Sequence, residues 1–306
     1  MKYYIVQLSF PYGVHFGGKN LDECNTTFHA DTLFSALYIE AIKCGQKVAE
    51  QLLETVRGGR MLLSDAFPYI GNKYFLPKPM LYIERNEDIG DSVLKKTAKK
   101  LEYISLDKMD SYIAGSMDIK EESKKFENFG SSQVKTSVVV QGREKTEPYH
   151  VGIYRYMEGN GLYFFVGMED GMEDDFWDIL NMLSFSGIGG KRSSGLGRFD
   201  PKKMIPVEKE YFEKNNATNG YLLLSTSLPK ETEMESALDG ADYLLEKRSG
   251  FIQSASFATE QRKKSDQYFF KAGSRFQNRF DGDVYEVGVE GNHPVYRYGK
   301  PLFWAL

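Results

Sequence analysis

Along residues 2–10 apolar positions fall on both sides of a period of two, with Tyr4, Val6 and Leu8 on one face and Tyr3, Ile5 and Gln7 on the other. A strand that is mostly apolar on both faces is predicted to be central. Pro11 to Thr27 has no period and carries Gly13, Gly17 and Gly18 with His15 and Lys19 between them, so it reads as a long polar loop of the functional kind. From Asp31 the spacing changes to three and four: Leu33, Phe34, Leu37, Tyr38, Ala41 and Ile42 share one face of a helix. Asp31 is its simplest N-cap. A second helix, about Lys47 to Val56, stops at Gly58-Gly59. Strands at Met61 to Ile70 and Tyr74 to Glu84 flank Gly71-Asn72, and Pro77 and Pro79 restrict the latter to an edge or to irregular structure.

Residues 91–130 shift toward Lys, Glu, Asp and Ser and read as a charged insertion, helical around Ser92 to Ile104 and mobile near Lys120 to Gly130. Val134 to Val140 and Tyr149 to Tyr156 flank a polar stretch with Arg143 and Lys145, which predicts a projecting hairpin over 134–156. Gly161 to Val166 is apolar on both faces and should be buried. It is superficially similar to an RNA-recognition signature, but Tyr163 stands where that signature needs Gly or Ala. A helix from Glu173 to Ser184 follows, then a glycine-rich loop over 186–199, a strand from Leu196 to Met204 and a polar connector, Pro206 to Gly220. A second cycle begins with a strand at Tyr221 to Leu228 and a helix at Glu231 to Glu246, and ends in further short strands. The pattern predicts an α+β chain of two ferredoxin-like (RRM-like, split βαβ) domains, 1–207 and 220–306, with the insertion and hairpin in the first.

The loop Ser186 to Phe199 spaces five glycines among Lys191, Arg192, Ser193 and Ser194. A Walker loop ending at Gly190-Lys191 needs glycine at 185 and Ser or Thr at 192, where Phe185 and Arg192 stand. A dinucleotide fingerprint from Gly187 fails at Arg192 as well. Both motifs also open a helix, whereas here the helix comes first. What remains is a cradle of amides and cations suited to a polymer backbone, or a turn whose cations face water.

The net charge of -4 rules out a basic whole-chain balance, so any surface for nucleic acid must be local. Acids are segregated, with Glu169, Asp170, Glu173, Asp174, Asp175 and Asp178 preceding the cationic loop. Cys24 and Cys44 with four scattered histidines do not make a structural zinc site, and no cofactor is expected. No apolar run reaches membrane-spanning length, and the start resembles no signal peptide, so a cytoplasmic location is expected.

Seven colinear segments carry a resemblance over nearly the whole chain. They are Val14-His15-Phe16-Gly17, Phe28 to Leu37, Leu63 to Tyr69, Leu76 to Pro79, Gly189 to Phe199, Lys271 to Phe276 and His293 to Pro301. Together they are similar to the fourth-subunit family of type III-A CRISPR (Csm) effector complexes, a branch of the RAMP superfamily. The resemblance implies a non-enzymatic subunit that holds the 5′ repeat-derived handle of the CRISPR RNA (crRNA). It also implies a place between the large polymerase-like subunit and the repeated backbone subunit, with the hairpin as a thumb beside the first guide-target base pairs. The expected RNA face comprises His15, Gly17, Gly18 and Lys19; His29, Asp31, Thr32 and Ser35; and Arg143 and Lys145. It continues with Gly187, Gly189, Gly190, Lys191, Arg192, Ser193, Ser194 and Gly195, and in the second half with Lys263, Lys264, Lys271, Ser274 and Arg275. A single-stranded handle would be fixed through its phosphates and read through splayed bases.

Some backbone RAMP subunits cleave RNA through a loop aspartate, and Asp22 and Glu23 occupy that loop here, without a metal cluster or well-placed base. A competing expectation is a metal-independent endoribonuclease using His15 or His29 as general acid or base.

Overall fold

The computed structural model describes residues 1–83, 92–138, 147–254 and 256–306, with the side chains of 92–94 and 203 outside the description. The hairpin tip with Arg143 and Lys145 therefore lies outside the described residues.

The first strand, Lys2–Ser9, pairs antiparallel with Asn160–Met168 on one side and Asp200–Val207 on the other, Ile5 lying opposite Phe165 and Ile205. Asn160–Met168 is bordered in turn by Met61–Leu63 and Phe67–Ile70. Lys73–Pro77 and Tyr103–Ser105 complete a seven-stranded sheet. Period-two alternation explains its two burials. Val6, Leu8, Leu162, Phe164 and Val166 meet Leu33, Phe34, Leu37, Leu52, Phe176 and Leu180 from the helices Ala30–Cys44, Gln46–Arg57 and Glu173–Ser186. Tyr3, Ile5, Tyr163 and Phe165 point the other way, against Ile104, Tyr112 and Ile119 of the insertion and Phe212, Leu222, Leu302 and Trp304. The centrality expected of both strands is what the sheet has.

Several local expectations change. The insertion folds into helices Ser92–Lys100, Met109–Ile113 and Ile119–Lys124 around the strand Tyr103–Ser105. Residues expected to be mobile near 120 are instead anchored: Asp118 accepts from the amides of Lys120 and Glu121, and the buried Glu122 accepts from the Ser105 amide and the Lys125 ammonium. Lys73–Pro77 is no edge, because Tyr103–Ser105 pairs beyond it with Pro77 at the last register position. The polar connector after Val207 holds the turn Glu210–Glu213, whose Phe212 stacks on Tyr3 at 4.2 Å between ring centroids.

The second half departs furthest. Its expected helix ends at Leu238, after a 3-10 turn at Glu231–Glu233 and one turn at Met234–Leu238, and Gly240 follows at a φ of 62°. Leu245–Arg248, expected to begin within that helix, is instead paired with Gln267–Phe270, because cross-strand bonding outweighs weak local propensity. Tyr221–Leu223 lies between Arg275–Phe276 and Phe303–Ala305, and Val284–Glu286 pairs Tyr296–Tyr298. Among the described residues this half holds one three-stranded sheet and two-stranded pairs rather than a four-stranded sheet. Its side chains enter both cores of the first half: Val284 and Tyr298 join the helical side, Leu222, Leu224, Leu302 and Trp304 the other. Trp304, 4% exposed, lies 5.7 Å from Phe165 and 5.2 Å from Phe212 by ring centroid. Trp304→Ala should cost about 3–5 kcal/mol, read as a lowered denaturant midpoint of the whole chain. A loss confined to a separate second-half transition would show that the halves do not share this core.

Candidate nucleic-acid interface

Strands Gly130–Val138 and Pro148–Tyr156 form a long ribbon in which nine residue pairs are in register, Lys135 facing Val151 and Ser137 facing Tyr149. The glycine-rich loop runs beside it. Between them lies a groove of about 470 Å³ lined by Lys135, Arg155, Lys191 and Arg198, with Tyr12, Tyr149, Val151, Ile153, Ser137, Ser194, Gly195 and Leu196. Among the described residues four cations and no carboxylate line it. Alternation along Pro148–Tyr156 puts Tyr149, Val151, Ile153 and Arg155 on one face, and this is the sequence signal that finds the ribbon's contribution. The ammonium of Lys191 sits 4.7 Å above the Tyr149 ring, a cation–π contact that holds a long side chain at the rim. Leu196 packs on Val151 and Ile153 and closes the floor. An anionic polymer with flat bases meets both charge and stacking surfaces here.

Several of the loop's glycines are required by the fold itself. The amides of Gly187, Ile188, Gly190, Ser194, Gly195 and Gly197 donate to the carbonyls of Leu183, Gly197, His15, Lys191, Arg192 and Gly13. The amides of Gly187, Gly190 and Gly195 are thus committed within the fold, and of the expected cradle the loop offers the amides outside that set together with the side chains at its rim. A Cβ on Gly197 would lie 2.0 Å from the Ile188 carbonyl oxygen, and one on Gly190 2.7 Å from the His15 ring. Close backbone approach demands glycine at these positions. Ser193 is exposed, while Arg192 turns toward the second half, 3.4 Å from the Gln253 side-chain oxygen.

His15 is buried, its Nδ1–H donating to the Gly152 carbonyl at 2.6 Å. It lies beneath the groove and not in its lining. Gly17 pairs with Cys24 in a short exposed hairpin, and the Lys19 amide donates to Glu23 at 2.9 Å, so Glu23 serves its own loop. Asp22 is exposed. Among the described residues no group of three or more His, Cys, Asp or Glu is placed to hold a metal ion.

The residues expected at the start of the first helix are drawn inward. Asp31 is no N-cap; it lies in the first turn, buried and bidentate with Arg248 at 2.7 and 3.0 Å. The amide of Ala30 is satisfied instead by Asp65 at 2.8 Å, which also accepts from the Thr226 amide and hydroxyl. His29 bridges two carboxylates, Asp65 at 2.9 Å through Nδ1 and Glu246 at 3.1 Å through Nε2. Burial opposes charge on His29, yet the charge and hydrogen bond of Asp65, with that of Glu246, raise its pKa to about 9. Burial opposes charge on Asp31 too, and Arg248 overrides it, holding that carboxyl at about 2. Thr32 is within 3.5 Å of Arg248, and Ser35 is half-buried on the same helix. The structure places His29 and Asp31, expected on an RNA face, in an ionic joint with Asp65, Glu246 and Arg248.

In the second half Lys263 is exposed over the Phe251 ring, Lys264 is half-buried with its pKa lowered by that burial, and Lys271 is exposed. Ser274 is fully buried with its hydroxyl on the Lys271 carbonyl. Arg275 is spent on the carbonyls of Asn219 and Gly240 and on Asp242. These last two hold the fold and are removed from the expected RNA face.

The fold and groove define a mixed α+β protein with one locally basic cleft in an acidic chain. A family model described as the CRISPR Csm4 C-terminal domain matches residues 216–306. Over 301 residues the chain is 35% identical to a "CRISPR system Cms protein Csm4" of Mycobacterium tuberculosis (strain ATCC 25618 / H37Rv), covering 95% of this chain and 94% of that one. A protein of the same name from Streptococcus thermophilus is 33% identical over 315 residues, covering 100% and 99%. Among solved structures, a chain of the Csm3-Csm4 subcomplex of the type III-A CRISPR-Cas interference complex matches with a TM-score of 0.67 at 19% identity, covering 100% of this chain and 99% of that one. A chain of the Csm1-Csm4 cassette in complex with pppApA matches at 0.62 and 20% identity, covering 100% and 98%. At such identities the structures speak for the fold; the sequence relatives carry the kinship. The chain belongs to the Csm4 family of CRISPR Csm proteins. Among the described residues no helix is long and apolar enough to cross a membrane.

The His29 shift predicts a pH dependence. Its folded pKa is raised, so the stability it contributes is fully present below an unfolded value of about 6.5 and is lost as pH rises through about 9. The denaturant midpoint should fall between those limits, and His29→Gln should flatten that fall. Parallel curves for the two proteins would remove His29 from the joint.

Proposed function

We propose that the protein is a non-catalytic, RNA-binding subunit of a cytoplasmic type III-A Csm complex that holds the 5′ handle of the crRNA in the groove between ribbon and glycine-rich loop. The observation that carries this reading is the groove itself, four cations and two tyrosines without a carboxylate, in a chain of net charge -4. Lys135, Arg155, Lys191 and Arg198 are positioned to neutralise phosphates of a single strand, while Tyr12 and Tyr149 offer faces for bases. Lys263, Lys264 and Lys271 would add basic groups from the second half, which Arg192 meets at Gln253. The ribbon, rooted in the first core through Tyr154, is read as the thumb beside the first guide-target base pairs. Related Csm4 chains were solved with Csm3 and with Csm1, which supports a place between a backbone subunit and a large subunit. A division at the connector, with a ferredoxin-like first half, belongs to the same reading, supported by the strand order 200–207, 2–9, 160–168, 61–70 with helices on one face.

Support for a non-catalytic role comes from the two candidate histidines. His15 is buried under the groove with one ring nitrogen committed to a carbonyl, and His29 is held between two carboxylates in the joint. Lys191→Ala combined with Arg198→Ala should weaken binding of a single-stranded repeat RNA and flatten the slope of log affinity against log salt by about 1.4, two single-strand phosphates. An unchanged slope would take both cations off the RNA. Specific cleavage of that RNA in EDTA, lost in His15→Ala or His29→Ala, would favour an endoribonuclease instead.

A further inference from the structure

We infer that His15 is a positioning residue that fixes the distance between the two walls of the groove without touching its contents, an inference that rests on the RNA-binding reading of that groove. The walls have no continuous strand pairing with each other; they are laced together through Gly13, Val14 and His15. On the ribbon side Val14 exchanges two bonds with Tyr154, at 2.8 and 3.0 Å. On the loop side the Gly13 carbonyl accepts from Gly197 at 3.0 Å and the His15 carbonyl from Gly190 at 2.8 Å. The His15 side chain then crosses to the ribbon, its Nδ1–H on the Gly152 carbonyl at 2.6 Å. One residue thereby holds the glycine loop with its main chain and the ribbon with its ring.

The surroundings are shaped to this crossing. A Cβ on Gly152 would lie 2.4 Å from the Asp22 carbonyl oxygen, one on Gly189 2.8 Å from that of His15, and one on Gly190 2.7 Å from the His15 ring. Glycine stands in the loop at 189 and 190, where it abuts this segment, and in the ribbon at 152, where it abuts the following turn at Asp22. Because Val14 bonds the Tyr154 backbone and His15 the Gly152 carbonyl, residues 13–15 border the edge of the strand whose Tyr149, Val151, Ile153 and Arg155 line the groove. A carbonyl oxygen only accepts, so Nδ1 must carry the proton, and what the position requires is a donor at that point. Asparagine places an amide N–H near the same place; phenylalanine fills the ring's volume and donates nothing.

The test uses the full chain, hydrogen exchange at the Gly190 and Gly197 amides, and a fluorescein-labelled single-stranded RNA of repeat sequence. In His15→Ala and His15→Phe both amides should exchange faster. RNA affinity should fall about tenfold if the groove then holds its binding shape one tenth of the time, with the salt slope unchanged because no phosphate contact is lost. His15→Asn should restore both readouts. Unchanged exchange in the alanine variant, a slope flattened by about 0.7 as for a lost phosphate contact, or an asparagine variant as weak as alanine would each overturn the role. Affinity that responds to Lys191→Ala with Arg198→Ala but not to His15 overturns the positioning role alone. Affinity that responds to neither overturns the RNA reading of the groove and the positioning role with it.

Discussion

The carboxylate of Asp65 is 4% exposed and receives the Ala30 amide, the Thr226 amide and hydroxyl, and His29. A buried charge is tolerable only when its lone pairs are filled, and here the donors come from the start of the first helix and from the second half of the chain. The same carboxylate puts negative charge at a helix N-terminus, where the backbone dipole favours it. Asp31, one residue into that helix, extends the joint through Arg248, whose own backbone carbonyl accepts from Arg297. The angle at which the first helix lies on the sheet and the seat of the second half are thus set by one connected set of charges. Removing one partner would leave the others buried and unpaired, a larger cost than the pair's own net worth.

Against that joint the sheet distributes its two faces. Its helical side is closed largely within the first half, but its other side is covered by the insertion and by Phe212, Leu222, Leu302 and Trp304. Such sharing of a core ties the two halves more tightly than a linker would. It also explains why the connector, polar in sequence, carries a buried Phe212: the peptide that joins the halves is part of what seals them.

The groove follows a second constraint, the close approach of three backbones. Glycines at 152, 189, 190 and 197 let ribbon, residues 13–22 and loop touch, and the touching leaves cations at the rim. Composition singled out the loop for its glycines and cations, and the fold uses several of those glycines for close packing while Lys191 and Arg198 line the groove. The histidines followed a similar course: imidazole near a basic loop invites a catalytic reading, and in the fold His15 bonds the Gly152 carbonyl while His29 lies between Asp65 and Glu246.

From the residues themselves the central strands, the first two helices, the acidic helix and the basic character of the loop were all legible, because period and cap signals act over a few residues, and colinear motifs carried the family. Beyond local range legibility ended. The helix expected after Glu231 gave way to a strand at Leu245, Arg248 found Asp31 across 217 residues, and Lys135 and Arg155 joined Lys191 only when the ribbon folded back beside the loop. Pairing across such distances leaves no period in the chain. Whether a polar side chain serves a ligand or the fold was therefore decided by which distant donor or acceptor reached it first.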